Sequence, residues 1–140
     1  MILLDTEVLS AVMQREPDPA VIAWLDAQAP ESVWTSSITL FEAAYGLELL
    51  PEGQRKMRLQ RALEQLVQVE FSQRVLVFDT QAARHAALLA ARRKAQGRNV
   101  DVRDTLIAGI AIAHGATLAT RNTRHFDDLP TPVVNPWQQP

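Results

Sequence analysis

Three acidic residues stand where this chain could do chemistry. Asp5 ends the short apolar run Ile2-Leu3-Leu4 and is followed by Thr6. Glu42 lies in Thr39-Leu40-Phe41-Glu42-Ala43-Ala44, an acid among mostly apolar neighbours. Asp104 lies in Val102-Arg103-Asp104-Thr105-Leu106-Ile107-Ala108. Carboxylates brought together repel and raise each other's pKa unless a cation is present. A hard divalent ion, Mg²⁺ or Mn²⁺, resolves that repulsion, taking one or two carboxylates directly and keeping several waters. Such an ion polarises a phosphodiester, lowers the pKa of an attacking water and stabilises the leaving oxygen. Each acid also has a structural alternative: Asp5 and Asp104 as helix caps, Glu42 as a solvated helix residue.

Other chemistries find less support. Cys is absent, which removes disulfides, a thiol nucleophile and thiolate metal sites. His85, His114 and His125 have no metal-ligand spacing between any two of them. There is no phosphate-binding glycine loop and no Gly-x-Ser-x-Gly turn. The net charge of −2 gives no global attraction to nucleic acid. The basic residues are nearly all Arg, with only Lys56 and Lys94 as lysines, a bias compatible with a phosphate-rich substrate. No apolar run approaches the roughly 20 residues of a membrane span, and no basic region precedes the first apolar run. A cytoplasmic protein without membrane contact is the expectation.

The elements that must position these acids alternate. Ile2–Leu4 reads as a fully buried strand of a parallel sheet, and Asp5 would sit at its C-terminal end, where open α/β sheets place ligands. A helix follows from Thr6, its expected N-cap, to Arg15, and a second from Asp18-Pro19 to near Pro30. Ser32–Ser36 reads as the next strand. Ser37 or Thr39 caps a helix to about Leu50, with Ile38, Phe41, Ala44, Tyr45 and Leu49 on its apolar side. A helix from about Gln54 to Val69 turns Met57, Leu59, Leu63, Leu66 and Val67 inward and Arg55, Lys56, Arg58, Arg61 and Glu64 outward. Val75–Phe78 is a third strand. Asp79 or Thr80 caps an Ala-rich helix to about Gln96, suited to close packing. Val102–Ala113 is another helix, closed by Gly115. Thr117–Thr120 is a fourth strand and Thr131–Val134 a fifth. Alternating strands and helices indicate an α/β fold with a parallel sheet, and 140 residues without a linker or repeat indicate a single domain, residues 1–140.

Four segments in order resemble the successive motifs of the PIN domain. They are Met1-Ile2-Leu3-Leu4-Asp5-Thr6, Ser37-Ile38-Thr39-Leu40-Phe41-Glu42, Arg103-Asp104-Thr105-Leu106-Ile107-Ala108 and Thr120-Arg121-Asn122-Thr123-Arg124-His125-Phe126. The nearest match is the VapC and FitB type of toxin ribonuclease, and Asn135-Pro136-Trp137 resembles the FitB-like branch. The resemblance implies a three-layer sandwich with a five-stranded parallel sheet in the order 3-2-1-4-5. It implies a Mg²⁺- or Mn²⁺-dependent endoribonuclease of structured RNA such as tRNA or rRNA. It also implies a homodimer, inhibited by a cognate antitoxin of the VapB or FitA kind. Asp5, Glu42 and Asp104 match the family's acidic triad, with Asp5 and Asp104 as metal ligands. Asn122 matches a position that positions water or ligand, and Thr6 and Thr120 match hydrogen-bonding partners of the acids.

Two positions depart from the pattern. Glu7 stands where the family usually has Asn, leaving open whether it binds metal through water, points away or weakens activity. His125 stands where many members have Asp, which lowers the acids of the set to three. Arg121 and Arg124 flank Asn122 and are the expected RNA-backbone contacts. Arg92, Arg93, Lys94, Arg98 and Arg103 form a second basic stretch beside Asp104, with Arg103 alternatively paired to Asp101. Two rivals stand beside the nuclease: a receiver-like regulatory module, disfavoured because no Lys follows Lys94, and a PIN fold kept as a non-catalytic RNA-binding or assembly part.

Overall fold

The computed structural model describes residues 1–138. Five strands, β1 (Ile2–Leu4), β2 (Val33–Ser36), β3 (Val75–Leu76), β4 (Thr117–Ala119) and β5 (Val133–Val134), form one sheet in the order β3-β2-β1-β4-β5. Every pairing is parallel, with Leu3 opposite Trp34 on one side and Leu118 on the other. The order reverses beside β1, so the tips of β1 and β4 flank the crevice where such sheets bind ligands. This is the expected architecture.

Six helices cover the two faces: α1 (Thr6–Met13), α2 (Pro19–Asp26), α3 (Ser37–Glu48), α4 (Gln54–Gln65), α5 (Thr80–Ala95) and α6 (Val102–His114). Successive strand residues point to opposite faces. Leu3 and Leu118 therefore join a core with Ala82, Leu89, Ile107 and Ile110 of α5 and α6. Leu4 and Ala119 join the opposite core with Val8, Leu9, Val21, Leu47 and Leu59 of α1 to α4. Both cores are dry enough to bury Leu3, Leu4, Leu9 and Leu118 completely.

Sequence chemistry sets the helix ends. Asp18 accepts from the Ala20 N–H, Asp79 from Ala82 and Asp101 from Arg103, each capping its helix. Ser36 rather than Ser37 or Thr39 caps α3, its Oγ accepting from the Thr39 N–H at 3.0 Å. Asp5, not Thr6, occupies the N-cap position of α1, but its side chain makes no capping bond to that helix's N2 or N3 position. Gly115 ends α6 with φ +61°, a left-handed conformation open to glycine. α5 and α6 pack so closely that a Cβ on Gly109 would lie 2.6 Å from the Ala82 carbonyl and 2.7 Å from the Ala86 methyl.

Several expected boundaries and faces shift. α1 stops at Met13 rather than Arg15, and α4 passes at Leu66–Glu70 into a π-helical turn instead of running regularly to Val69. β3 keeps only Val75–Leu76, leaving Val77 exposed, and β5 begins after Pro132, which has no N–H to donate. On α3 the buried stripe is Thr39, Ala43 and Leu47, whereas Phe41, Ala44, Tyr45 and Leu49 face outward. Both stripes have helical spacing, and the smaller residues take the side where α3 meets α1 and the sheet. On α4, Lys56 is buried and Met57 is exposed, the reverse of their expected placement. The Lys56 ammonium reaches Glu52 at 2.7 Å and the Glu48 carbonyl at 3.3 Å, so its charge is met where its stem packs.

Candidate active site

The site assembles at the C-terminal ends of β1 and β4. The Asp5 N–H donates to the Ala119 carbonyl at 3.0 Å, which extends the β1–β4 ladder by one residue and fixes the Asp5 backbone. Asp5 is only 5% exposed. The Thr120 hydroxyl donates to Asp5 Oδ2 at 2.5 Å, and the backbone N–H of Glu7 also favours the charged carboxylate. Burial nevertheless pushes the Asp5 pKa up to about 6, with the Thr120 bond opposing and the charges of Asp104 and Glu7 adding to the rise. A buried acid beside another acid prefers to be neutral.

Asp104 stands in the first turn of α6. The cap of that helix is Asp101, so the Asp104 side chain is not spent on capping. Burial raises its pKa, and His125 opposes the rise through a 3.0 Å contact between Nδ1 and Asp104 Oδ2. His125 is carried by a 3-10 turn at Thr123–Phe126, anchored by the fully buried Phe126. Glu42 lies half-way along α3. It accepts from the Thr6 hydroxyl at 2.8 Å and faces the Arg103 Nε at 3.6 Å. Thr39 on the same helix sends its hydroxyl to the Leu4 carbonyl at 3.5 Å, which links α3 to the strand that ends in Asp5.

Glu7 does not turn away from the site. Its Oε1 accepts from the Asn122 Nδ2 at 2.9 Å, and the Asn122 N–H donates to the Thr120 hydroxyl oxygen at 3.1 Å. Thr120 thus receives from Asn122 and gives to Asp5, one hydroxyl serving both. An open groove of about 600 Å³ runs from Thr6 and Glu7 along α1 to Gln14, with Arg121 and Trp137 on its far wall. The Arg121 guanidinium lies 4.9 Å from the Trp137 ring centroid, a cation–π contact that holds it beside the groove. Arg124 is exposed on the turn that bears His125.

Part of the second basic stretch is engaged inside the molecule. Arg98 pairs with Asp127 at 2.7 Å, and Arg103 pairs with Asp101 at 3.3 Å as well as facing Glu42. Arg93 is 2% exposed and salt-bridged to Asp128. Its sequence neighbourhood admits either an RNA contact or a solvated helix end, and the buried pair with Asp128 is neither. The available signal was helical phase: Arg93 continues the buried stripe Ala82, Ala86, Leu89 at the next inward position. Lys56 falls in the same way on a stripe with Leu59 and Leu63.

No three Asp, Glu or His side chains among the described residues converge closely enough to form a ready metal cluster. Glu42 is drawn toward Thr6 and Arg103, and Asp104 toward His125. The donor chemistry fits a divalent ion held by two carboxylates. Asp5 and Asp104 offer hard oxygen ligands, and each has a pKa raised by burial that a cation would lower again.

Residues 2–131 match the PIN domain family model. The chain belongs to the PIN-domain family. It is 42% identical over 138 residues to the VapC ribonuclease Y4jK of Sinorhizobium fredii, covering 99% of each. It is 39% identical to Toxin FitB of Neisseria gonorrhoeae, over 98% of this chain and 99% of that one. Among solved structures, FitAcB from Neisseria gonorrhoeae superposes with a TM-score of 0.90 at 38% identity, covering 99% of this chain and 100% of that chain.

Proposed function

We propose that this protein is a divalent-metal-dependent endoribonuclease, the toxin of a toxin–antitoxin pair, hydrolysing phosphodiester bonds in structured RNA such as tRNA or rRNA. The observation that carries the reading is buried Asp5 at the switch point of the sheet, with the charge of the partly buried Asp104 near enough to add to its raised pKa. Asp5 and Asp104 would hold the Mg²⁺ or Mn²⁺. The bound ion supplies a Lewis acid for the phosphodiester and lowers the pKa of the attacking water. Glu42, steadied by the Thr6 hydroxyl, orients that water or accepts its proton. Thr120 holds Asp5 in place, and Asn122 ties Glu7 to the same loop. Arg121 and Arg124 take the RNA backbone phosphates on either side of Asn122. In-line attack leaves a 3′-hydroxyl and a 5′-phosphate.

Names of similar proteins support the partner assignment. One relative is a tRNA(fMet)-specific endonuclease VapC from Salmonella typhimurium, and one solved neighbour is FitAB bound to a DNA fragment. We therefore assign an antitoxin of the VapB or FitA kind, a homodimer in solution and a cytoplasmic location. No helix among the described residues is long and apolar enough to cross a membrane. The test is cleavage of purified tRNA and rRNA with Mg²⁺ or Mn²⁺ against excess EDTA, with the product ends mapped. Sedimentation with and without the antitoxin tests the assembly. The pairing of Glu42 with Arg103 favours one other reading, a non-catalytic PIN fold that binds RNA, in which binding would persist without cleavage.

A further inference from the structure

Arg93 lies in the last turn of α5, outside all four sequence motifs of the site. Its guanidinium is nonetheless engaged on all three nitrogens. Nε and Nη2 straddle the Asp128 carboxylate at 2.9 Å each. Nη1 donates to the Thr105 hydroxyl at 2.9 Å. Nη2 also donates to the His125 carbonyl at 2.6 Å. At 2% exposure the group cannot reach an RNA backbone, which removes the role its sequence neighbourhood suggested.

Two of these acceptors adjoin the proposed metal site. Thr105 follows Asp104 in the first turn of α6, and His125 is the residue whose ring meets Asp104 at 3.0 Å. Asp128 closes the far end of the turn that carries His125. One rigid planar fork therefore spans α5, the start of α6 and the 123–128 segment. Arginine suits this because its donors lie in a fixed plane and can serve three partners at once, which an ammonium on a flexible stem cannot. We propose that Arg93 is a positioning residue for RNA cleavage: it sets the separation of Asp104 and His125 by bonding simultaneously to Thr105, the His125 carbonyl and Asp128. The proposal rests on the ribonuclease reading above. A partner that orients a metal ligand through one intervening group typically changes metal affinity or activity by about 10–100-fold when removed.

The test uses two variants of the full chain. Arg93→Met combined with Asp128→Asn removes both charges of the pair together, so that the buried position is not left with an uncompensated one. Arg93→Lys keeps the charge and loses the fork. Unfolding curves establish that each folds. Steady-state cleavage of tRNA in Mg²⁺ then separates kcat from KM, and calorimetry with Mn²⁺ alone reads metal affinity without RNA. The expected result is a folded double variant with kcat and Mn²⁺ affinity down about 10–100-fold and KM within about twofold, and Arg93→Lys between it and wild type. Should the double variant fail to fold, Arg93→Lys decides by the same two readouts. A folded variant with wild-type kcat and wild-type Mn²⁺ affinity overturns the proposal. Absence of cleavage by the wild-type protein would instead count against the ribonuclease reading, and the Mn²⁺ comparison would still decide the role of Arg93.

Discussion

Replacing Asp5 with asparagine in the metal-free protein should raise stability while ending RNA cleavage. The Asp5 carboxyl is buried, and its pKa rises from 3.8 to about 6 on folding. Between those values the native state binds more protons than the unfolded state, so stability falls as pH rises. The contribution is fully present below 3.8 and lost as pH passes through about 6. Integrating over this one group, the charged form costs about 1.5 kcal/mol at pH 5 and about 3 kcal/mol at pH 8. Asparagine carries no charge, but its amide is a poorer partner than the carboxylate for the Thr120 hydroxyl bond. Losing that bond subtracts roughly 1 kcal/mol. The net gain at pH 8 is then about 2 kcal/mol, or roughly 5 °C in Tm. Urea unfolding in EDTA at pH 5, 6.5 and 8 measures it. The difference between variant and wild type must grow by about 1.5 kcal/mol from pH 5 to pH 8, whatever the hydrogen-bond loss. A difference that is flat with pH, or an asparagine variant less stable at pH 8, would refute the buried-charge reasoning.

Mg²⁺ at millimolar concentration should raise the Tm of the wild-type protein and leave Asp5→Asn unchanged, because only the native carboxylate pair binds the ion; equal shifts in scanning calorimetry would place the ion elsewhere. Gly109→Ala should destabilise by about 1–3 kcal/mol in urea unfolding, since the new methyl meets the Ala82 carbonyl at 2.6 Å and backbone cannot yield cheaply. Ser36→Ala should cost about 1 kcal/mol by the same measurement, through loss of the α3 cap. Arg103→Ala should leave the urea midpoint close to that of wild type, because its pairs with Asp101 and Glu42 are partly solvated.

The strands and helices were legible because most strands are short runs that stop at a polar residue and several helices begin at a capping side chain, whereas the order of the sheet was implied by the resemblance to the PIN domain. Those runs alone put Asp5 at a strand tip and Asp104 at a helix start, while the neighbouring of β1 and β4 and the part played by Thr120 were implied by the family resemblance. What residue polarity concealed was which of the helical stripes faces inward. On α3, two stripes of equal spacing compete, and packing against β1 and α1 selects Thr39, Ala43 and Leu47 over Phe41, Tyr45 and Leu49. Arg93 and Lys56 carry charges that sequence patterning assigns to solvent, yet partners distant along the chain or one turn away meet them inside. Glu7 was ambiguous for the same reason: its bond to Asn122 joins residues 115 apart.

The central claim is that Asp5 and Asp104 bind the divalent ion that supports RNA cleavage. The most direct measurement is a cleavage assay of purified tRNA by wild type, Asp5→Asn and Asp104→Asn, each shown folded by circular dichroism, in Mn²⁺ and in excess EDTA. Wild type should cut in Mn²⁺ and stop in EDTA, and neither variant should cut in either condition. Cleavage that survives EDTA, or a folded variant that cuts at the wild-type rate, would contradict the account.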